Sequence, residues 1–171
     1  LHHRKVASSI IMGSKALYDF IDHNEMIEMY PVHHMNDPYV IGQNDRMVSI
    51  NSCLEIDLYG QVASEAIGLE QFSGTGGQVD YLRGAKRSRG GRSILAFTST
   101  AKGGTVSRIV PVLPPGATVT SGRNEVDYIA TEYGAVRLRG LTLRERALAL
   151  VSIAHPDFRL GLMAAIEERF S

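Results

Sequence analysis

The segment Phe72-Ser73-Gly74-Thr75-Gly76-Gly77-Gln78-Val79-Asp80 carries the strongest chemical signal in the chain. Glycines at 74, 76 and 77 allow positive φ and let another group approach the main chain closely. Amides gathered in this way can point at an anion or a carbonyl oxygen, as an anion nest or an oxyanion hole. The segment is not a P-loop, because no Gly-Lys-Ser/Thr follows, and its glycine spacing does not fit the dinucleotide fingerprint. On its own residues it reads first as a structural turn.

Other reactive side chains have plain readings beside them. Asn36-Asp37-Pro38 reads as a turn opened by an Asx-type hydrogen bond from Asn36. Lys102, in Ala101-Lys102-Gly103-Gly104, reads as a solvated turn lysine. His2-His3 and His33-His34 match no zinc spacing and read as solvated or strand-packing side chains, so no metal site is expected. Cys53 has no catalytic partner in sequence and reads as a small buried hydrophobe. The five Lys/Arg between Arg83 and Arg92 either attract phosphate or cover a solvated loop. Glu55, Glu65, Glu125 and Glu132 are the carboxylates to weigh as nucleophiles.

The elements that must hold these residues follow from periodicity and punctuation. Val6 to Met12 predicts a buried strand ending at Gly13. Ser14 then caps a helix to about Asn24, with Leu17, Phe20 and Ile21 on one face. Ile27 to Met35 predicts another strand, broken by Pro38 and the restriction it places on Asp37. Met47 to Leu58 predicts a strand whose apolar positions are Val48, Ile50, Leu54 and Ile56. Tyr59-Gly60 turns the chain, and Gln61 to Gly68 returns as a hairpin partner. Gln78 to Ala85 begins a short helix, with Asp80 favouring its N-terminus. Strands are expected at Ser93 to Thr100, Val106 to Leu113, Thr118 to Thr120 and Tyr128 to Thr131. Thr142-Leu143-Arg144-Glu145 has the form of a capping box, and His155-Pro156 separates two terminal helices. The pattern is α/β, with no linker dividing residues 1–171 into two domains.

Taken in order, several longer motifs carry a resemblance. They are Asn36-Asp37-Pro38-Tyr39-Val40-Ile41, Asn51 to Val62, Ser73 to Tyr81, Ser99 to Gly104, Val126 to Gly134, Leu143 to Ala147 and Ala154-His155-Pro156. This ordered set resembles the acetyl-CoA hydrolase/transferase family, most closely its 4-hydroxybutyrate and butyrate:acetate CoA-transferase branch. The resemblance implies an open CoA-transferase-like (NagB/RpiA/CoA transferase-like) α/β domain with C-terminal helices. It implies ping-pong transfer of CoA between acetyl-CoA and a short carboxylate through a glutamyl-CoA thioester. The family's nucleophilic glutamate sits in a His-Thr/Ser-Glu-Met motif, which does not occur here and is expected upstream of Leu1. This chain is therefore expected to be the C-terminal domain of a longer two-domain enzyme, inactive when isolated. Asn36 matches an active-site asparagine near the catalytic carboxylate. Gly77 matches the glycine whose amide stabilises the thioester oxyanion. Leu54, Ser73, Gly76 and Lys102 match CoA-contacting positions, Leu54 through backbone atoms and Lys102 through phosphate.

Composition bounds these expectations. The 171 residues can bury one core. Equal counts of 18 basic and 18 acidic side chains argue against a nucleic-acid partner. No apolar run approaches the roughly 20 residues of a membrane span. A single cysteine excludes an intrachain disulfide and suggests a cytoplasmic setting. The resemblance further implies acyl-CoA and carboxylate substrates, no permanently bound cofactor, a preceding domain as partner, and a homodimer. A hydrolase on the same scaffold and a non-catalytic CoA-binding module are the alternatives.

Overall fold

The computed structural model describes residues 1–170. It opens with β1 (Val6–Ser8), α1 (Lys15–Ile21) and β2 (Ile27–Met29). β1 and β2 pair in parallel, so these elements form a small βαβ unit. Ser14 caps α1, its hydroxyl accepting from the Leu17 amide at 3.4 Å. The expected strand over Ile27 to Met35 stops early, because Pro31 sits at the N-cap of α2 (Val32–Met35). α3 (Pro38–Gly42) then follows, a helix that the periodicity does not predict.

The expected strand over Met47 to Leu58 is two strands in different sheets. β3 (Val48–Asn51) and β4 (Glu55–Asp57) are separated at Ser52, Cys53 and Leu54. The Arg108 guanidinium binds the carbonyls of Cys53 and Leu54 there, satisfying them outside any ladder. The Tyr59-Gly60 turn is present, with Gly60 at φ +85. The buried Asp57 carboxylate fixes it by accepting from the amides of Tyr59 at 3.0 Å and Gln61 at 2.9 Å. β5 (Val62–Ala63) returns antiparallel to β4. β6 (Ala66–Ile67) and β7 (Glu70–Gln71) form a short hairpin that leads into the glycine loop.

α4 (Gln78–Arg87) crosses over from β3 to β8 (Arg92–Ala96). β9 (Thr100–Ala101) leads into a 3₁₀ turn at Lys102–Gly104. The next stretch divides into β10 (Val106–Ser107) and β11 (Ile109–Val110), again at Arg108. Thr118 to Thr120 is irregular rather than a strand; the Thr120 hydroxyl instead accepts from the Ser64 amide. β12 (Tyr128–Thr131) turns into β13 (Gly134–Arg137), a strand the sequence reading missed.

The largest sheet has the order β13-β12-β8-β3. Its β3, β8 and β12 run parallel, and β13 is antiparallel at one edge. A second sheet has the order β11-β4-β5. Ile56, Leu58, Leu82, Leu95, Ile109, Ile129 and Leu138 are fully buried in one cluster with α5 (Leu143–Ser152) and α6 (Pro156–Phe170). The capping box is formed: the Thr142 hydroxyl accepts from the Glu145 amide, and the Glu145 carboxylate accepts from the Thr142 amide at 2.7 Å. The β3 alternation is real but reversed in facing. Ser49 and its register partner Ser93 are buried, while Val48 and Ile50 are 50% and 68% exposed.

Candidate functional site

Asn36 and Gly77 are brought together by two local devices. The first is the joint between α2 and α3. Asp37, not Asn36, supplies the Asx bond, its carboxylate accepting from the Tyr39 amide at 2.8 Å, with Pro38 opening the helix. The Asn36 side chain is thereby released from the turn role it was assigned on sequence. The second device is close packing of α3 on α4. A Cβ at Gly84 would lie 2.4 Å from Ile41 Cγ2, and one at Gly42 would lie 2.9 Å from Arg87 Cβ. These contacts hold the end of α3 against the last turns of α4, while Asn36, just before α3, lies at the α4 N-terminus. A Cβ on Gly77 would fall 2.3 Å from Asn36 Nδ2. The glycine is thus required by the amide lying on it.

Gly77 is the N-cap of α4, and Gly76 precedes it at φ +57. Among the described residues, neither of their amides has a hydrogen-bond acceptor. An open cleft of about 580 Å³ lies here, lined by Ser8, Ser9, Asn36, Asn51, Gly77 and Tyr81 together with Ala7, Ile10, Val32 and Gly76. It sits where β1 and β3 end, at their carboxyl ends, where ligands of open parallel sheets commonly bind. Burial and the neighbouring Asp80 charge hold the Tyr81 phenol above its ordinary range, so it meets the cleft as a neutral donor. The lining is uncharged, with polar Ser8, Ser9, Asn36, Asn51 and Tyr81 beside apolar Ala7, Ile10 and Val32. It can accept an acyl or thioester group and offer amide donors to its oxygen.

The other candidate positions lie outside this lining. Ser73 is exposed in the loop after β7, and its hydroxyl donates to the Gly74 carbonyl at 3.0 Å. Lys102 is exposed in the 3₁₀ turn at φ +50. Leu54 is half-buried, and both of its backbone groups are used. Its amide donates to the Ala63 carbonyl at 2.9 Å, and its carbonyl accepts from Arg108 Nε at 2.8 Å. The Leu54 carbonyl keeps a second lone pair beside the Arg108 bond.

None of the four candidate carboxylates lines the cleft. Glu55 and Glu65 are buried. Glu125 pairs with Arg83 at 3.3 Å. Glu132 accepts from the Ser99 amide at 2.8 Å and hydroxyl at 2.6 Å. Burial opposes the Glu132 charge, but the Ser99 bonds outweigh it and hold the carboxyl below its usual range. Cys53 is buried and its thiol is pushed up to about 12 by desolvation, so it is no nucleophile at neutral pH. The basic run lies on the last turns of α4 and just beyond. Arg83, Lys86, Arg87 and Arg89 there reach Glu125, the Asn124 carbonyl, the Tyr39 ring and Asp45 respectively. Among the described residues no group of three or more His, Cys, Asp or Glu is placed to hold a metal ion. No helix there is long and apolar enough to cross a membrane.

Ser8, Ser9, Asn51 and Tyr81 were missed as cleft residues on sequence. Ser8 and Asn51 lie inside the longer strands expected over Val6 to Met12 and Met47 to Leu58, so nothing in the sequence marked them as strand ends.

The model of the acetyl-CoA hydrolase/transferase C-terminal domain matches residues 13–166. The chain belongs to this family. It is 57% identical over 170 residues to a 4-hydroxybutyrate coenzyme A transferase of Clostridium kluyveri, covering 99% of this chain and 40% of that protein. A crystal structure of 4-hydroxybutyrate CoA-transferase from Porphyromonas gingivalis is 60% identical with a TM-score of 0.84, covering 99% of this chain and 39% of that one. RipA from Yersinia pestis is 45% identical with a TM-score of 0.93, over 99% of this chain and 38% of that one. The chain thus spans about 40% of the length of these relatives.

Proposed function

We propose that this domain supplies one wall of a CoA-transferase active site, which moves CoA between acetyl-CoA and a short carboxylate such as 4-hydroxybutyrate or butyrate. The observation that carries the reading is the Asn36–Gly77 contact at the N-terminus of α4, in a cleft that has free amides but no carboxylate of its own. The attacking carboxylate is a glutamate contributed from outside these 171 residues. As it adds to the thioester carbonyl, negative charge gathers on the carbonyl oxygen, and the Gly77 amide receives it. Asn36 orients the glutamate through its side-chain amide without changing net charge. CoA thiolate leaves and then attacks the glutamyl carbonyl, giving the glutamyl-CoA thioester and releasing the first carboxylate. Ser73, Gly76, Leu54 and the Lys102 ammonium contact CoA along the way.

The fold is the open CoA-transferase-like (NagB/RpiA-like) type, and the partner is the preceding domain of the same polypeptide. The exposed apolar residues of β1, α1 and β2, such as Val6, Phe20 and Met29, support that partner. The enzyme is homodimeric and cytoplasmic. CoA and acetyl-CoA are its substrates, with no permanently bound cofactor.

The test is CoA exchange between acetyl-CoA and 4-hydroxybutyrate or butyrate by the enzyme carrying this domain. Exchange that needs the carboxylate acceptor supports the transferase. Free CoA and acetate formed equally well without an acceptor would replace it with a hydrolase. Robust exchange by the 171 residues alone would overturn the external nucleophile.

A further inference from the structure

The histidine pairs separated in sequence do not stay separate in space. His3 and His33 are exposed, whereas His2 and His34 meet, with their Nε2 atoms 3.4 Å apart. Their rings cross edge-on at 89°. Two imidazole nitrogens on one tetrahedral transition ion, each about 2.0–2.1 Å from it, stand about 3.3–3.4 Å apart. In this structure the two nitrogens share a hydrogen bond, at a separation that also matches a ligand pair.

The surroundings fit the same reading. The far nitrogen of His2, Nδ1, is 3.3 Å from Glu28 Oε2, and the Tyr30 hydroxyl donates to the same oxygen at 2.9 Å. A carboxylate on Nδ1 places the proton there and leaves Nε2 without one, able to accept from His34 or to bind an ion. This is the outer-shell arrangement that orients metal-bound histidines. Tyr30 packs on both rings, with centroids 4.6 Å from His2 and 5.1 Å from His34. His2 is held at φ +50, in the left-handed region, so its ring is placed by tertiary contacts rather than by local preference. The His2 side chain keeps 19% of its surface exposed, which leaves room for water in the remaining coordination positions.

We propose that His2 and His34 form an exchangeable two-imidazole site for a late first-row divalent cation, oriented by Glu28 and Tyr30. Two protein ligands make the site labile rather than structural. It departs from the sequence reading, which left all four histidines as solvated or strand-packing. An ion bound here would tie the first residues of the chain to α2, directly before Asn36. Occupancy would therefore be felt at the Asn36–Gly77 contact.

The test is calorimetric titration of Zn²⁺ into the enzyme without a polyhistidine tag, together with Cu²⁺ electron paramagnetic resonance. One Zn²⁺ per chain is expected. His2→Gln and His34→Gln should each weaken it at least tenfold. Glu28→Gln should weaken it by about tenfold, the lower end of outer-shell effects. The double variant His3→Gln/His33→Gln should bind as the wild type does. The wild-type copper spectrum should show coupling to two imidazole nitrogens. Zinc binding that is unchanged in His34→Gln, or a wild-type spectrum with fewer than two nitrogens, would overturn the site. Circular dichroism of each variant separates loss of ligand from loss of fold, and the wild-type spectrum decides without any variant.

Discussion

Before β3, Ile41 is the one buried side chain; after it, Ile56, Leu58, Leu82, Leu95, Ile109, Ile129, Leu138 and Leu150 have no exposed surface at all. The two regions differ in their source of order. The body is held by burial between two sheets and three helices. The N-terminal region is held by backbone pairing of β1 with β2, by the His2–Tyr30–His34 cluster, and by Ile41 filling the gap at Gly84. A two-stranded pair has little stability of its own. Its exposed apolar residues, Met12 at 80% and Phe20 at 61% among them, have no layer to lie against within these residues. The difference teaches that Asn36 hangs from the weaker region while Gly77 belongs to the stronger one. The candidate site is the seam between them.

The contrast is easiest to break in the body. Leu150→Ala should destabilise by about 2–5 kcal/mol, the range for emptying a fully buried leucine, read by denaturant unfolding. A loss under about 1 kcal/mol would mean that the cluster around α5 is not the core. At the seam, Gly77→Ala puts a methyl where Asn36 Nδ2 lies. Displacing a positioning group by about 1 Å can cost about 100-fold, so CoA exchange by the enzyme carrying this domain should fall by that order. Activity near wild type would detach Asn36 from the proposed chemistry.

Gly84→Ala tests the clasp rather than the site. Its methyl would meet Ile41 Cβ at 2.5 Å, and overpacking of this kind costs about 1–3 kcal/mol. Hydrogen exchange should then rise in α3 more than in β8. Uniform protection would show that the N-terminal region is not docked through this contact.

Two carboxylates of the body sharpen the comparison through pH. Burial raises the Glu55 carboxyl above 4.5, partly offset by Arg108, and leaves Oε2 without a partner. A raised acid contributes stability below its unfolded value and loses it as pH climbs through the folded one. Glu55→Gln should therefore stabilise by about 1 kcal/mol at neutral pH, with the gain closing as pH falls toward 4.5. Glu132 has the opposite sign. Its lowered carboxyl stabilises above 4.5 and loses that contribution in acid, so Glu132→Gln should lower stability at neutral pH and not in acid. Parallel melting curves for the two variants across pH 3–7 would contradict these assignments. The smallest effect is expected on the exposed face: Phe20→Ser should change the stability of these residues by no more than about 0.5 kcal/mol. A larger loss would show that α1 is packed after all.

Much of the local structure was legible in the residues. Ser14, the Thr142–Glu145 capping box, the Tyr59-Gly60 turn and the Pro156 helix start all appear where their chemistry put them. The reading faltered where a distant group intervened. Met47 to Leu58 looks continuous, but Arg108, more than fifty residues later, binds the carbonyls at its middle and divides it. Val48 and Ile50 alternate as a buried face should, yet Ser49 and Ser93 are the buried register pair. α1 has its apolar face but buries none of it.

By itself, the sequence determined the α/β class, the caps and breaks, the family, and the pairing of Asn36 with the glycine loop as candidates. Those depend on residue type and short spacing, which local sterics and hydrogen bonding read directly. The tertiary structure alone decided that Asp37 takes the turn bond and frees Asn36, that Gly84 admits Ile41, and that Asn36 rests on Gly77. It also decided that His2 faces His34 while His3 and His33 turn to solvent. Such contacts depend on the distance between residues far apart in the chain, and only close packing sets that distance.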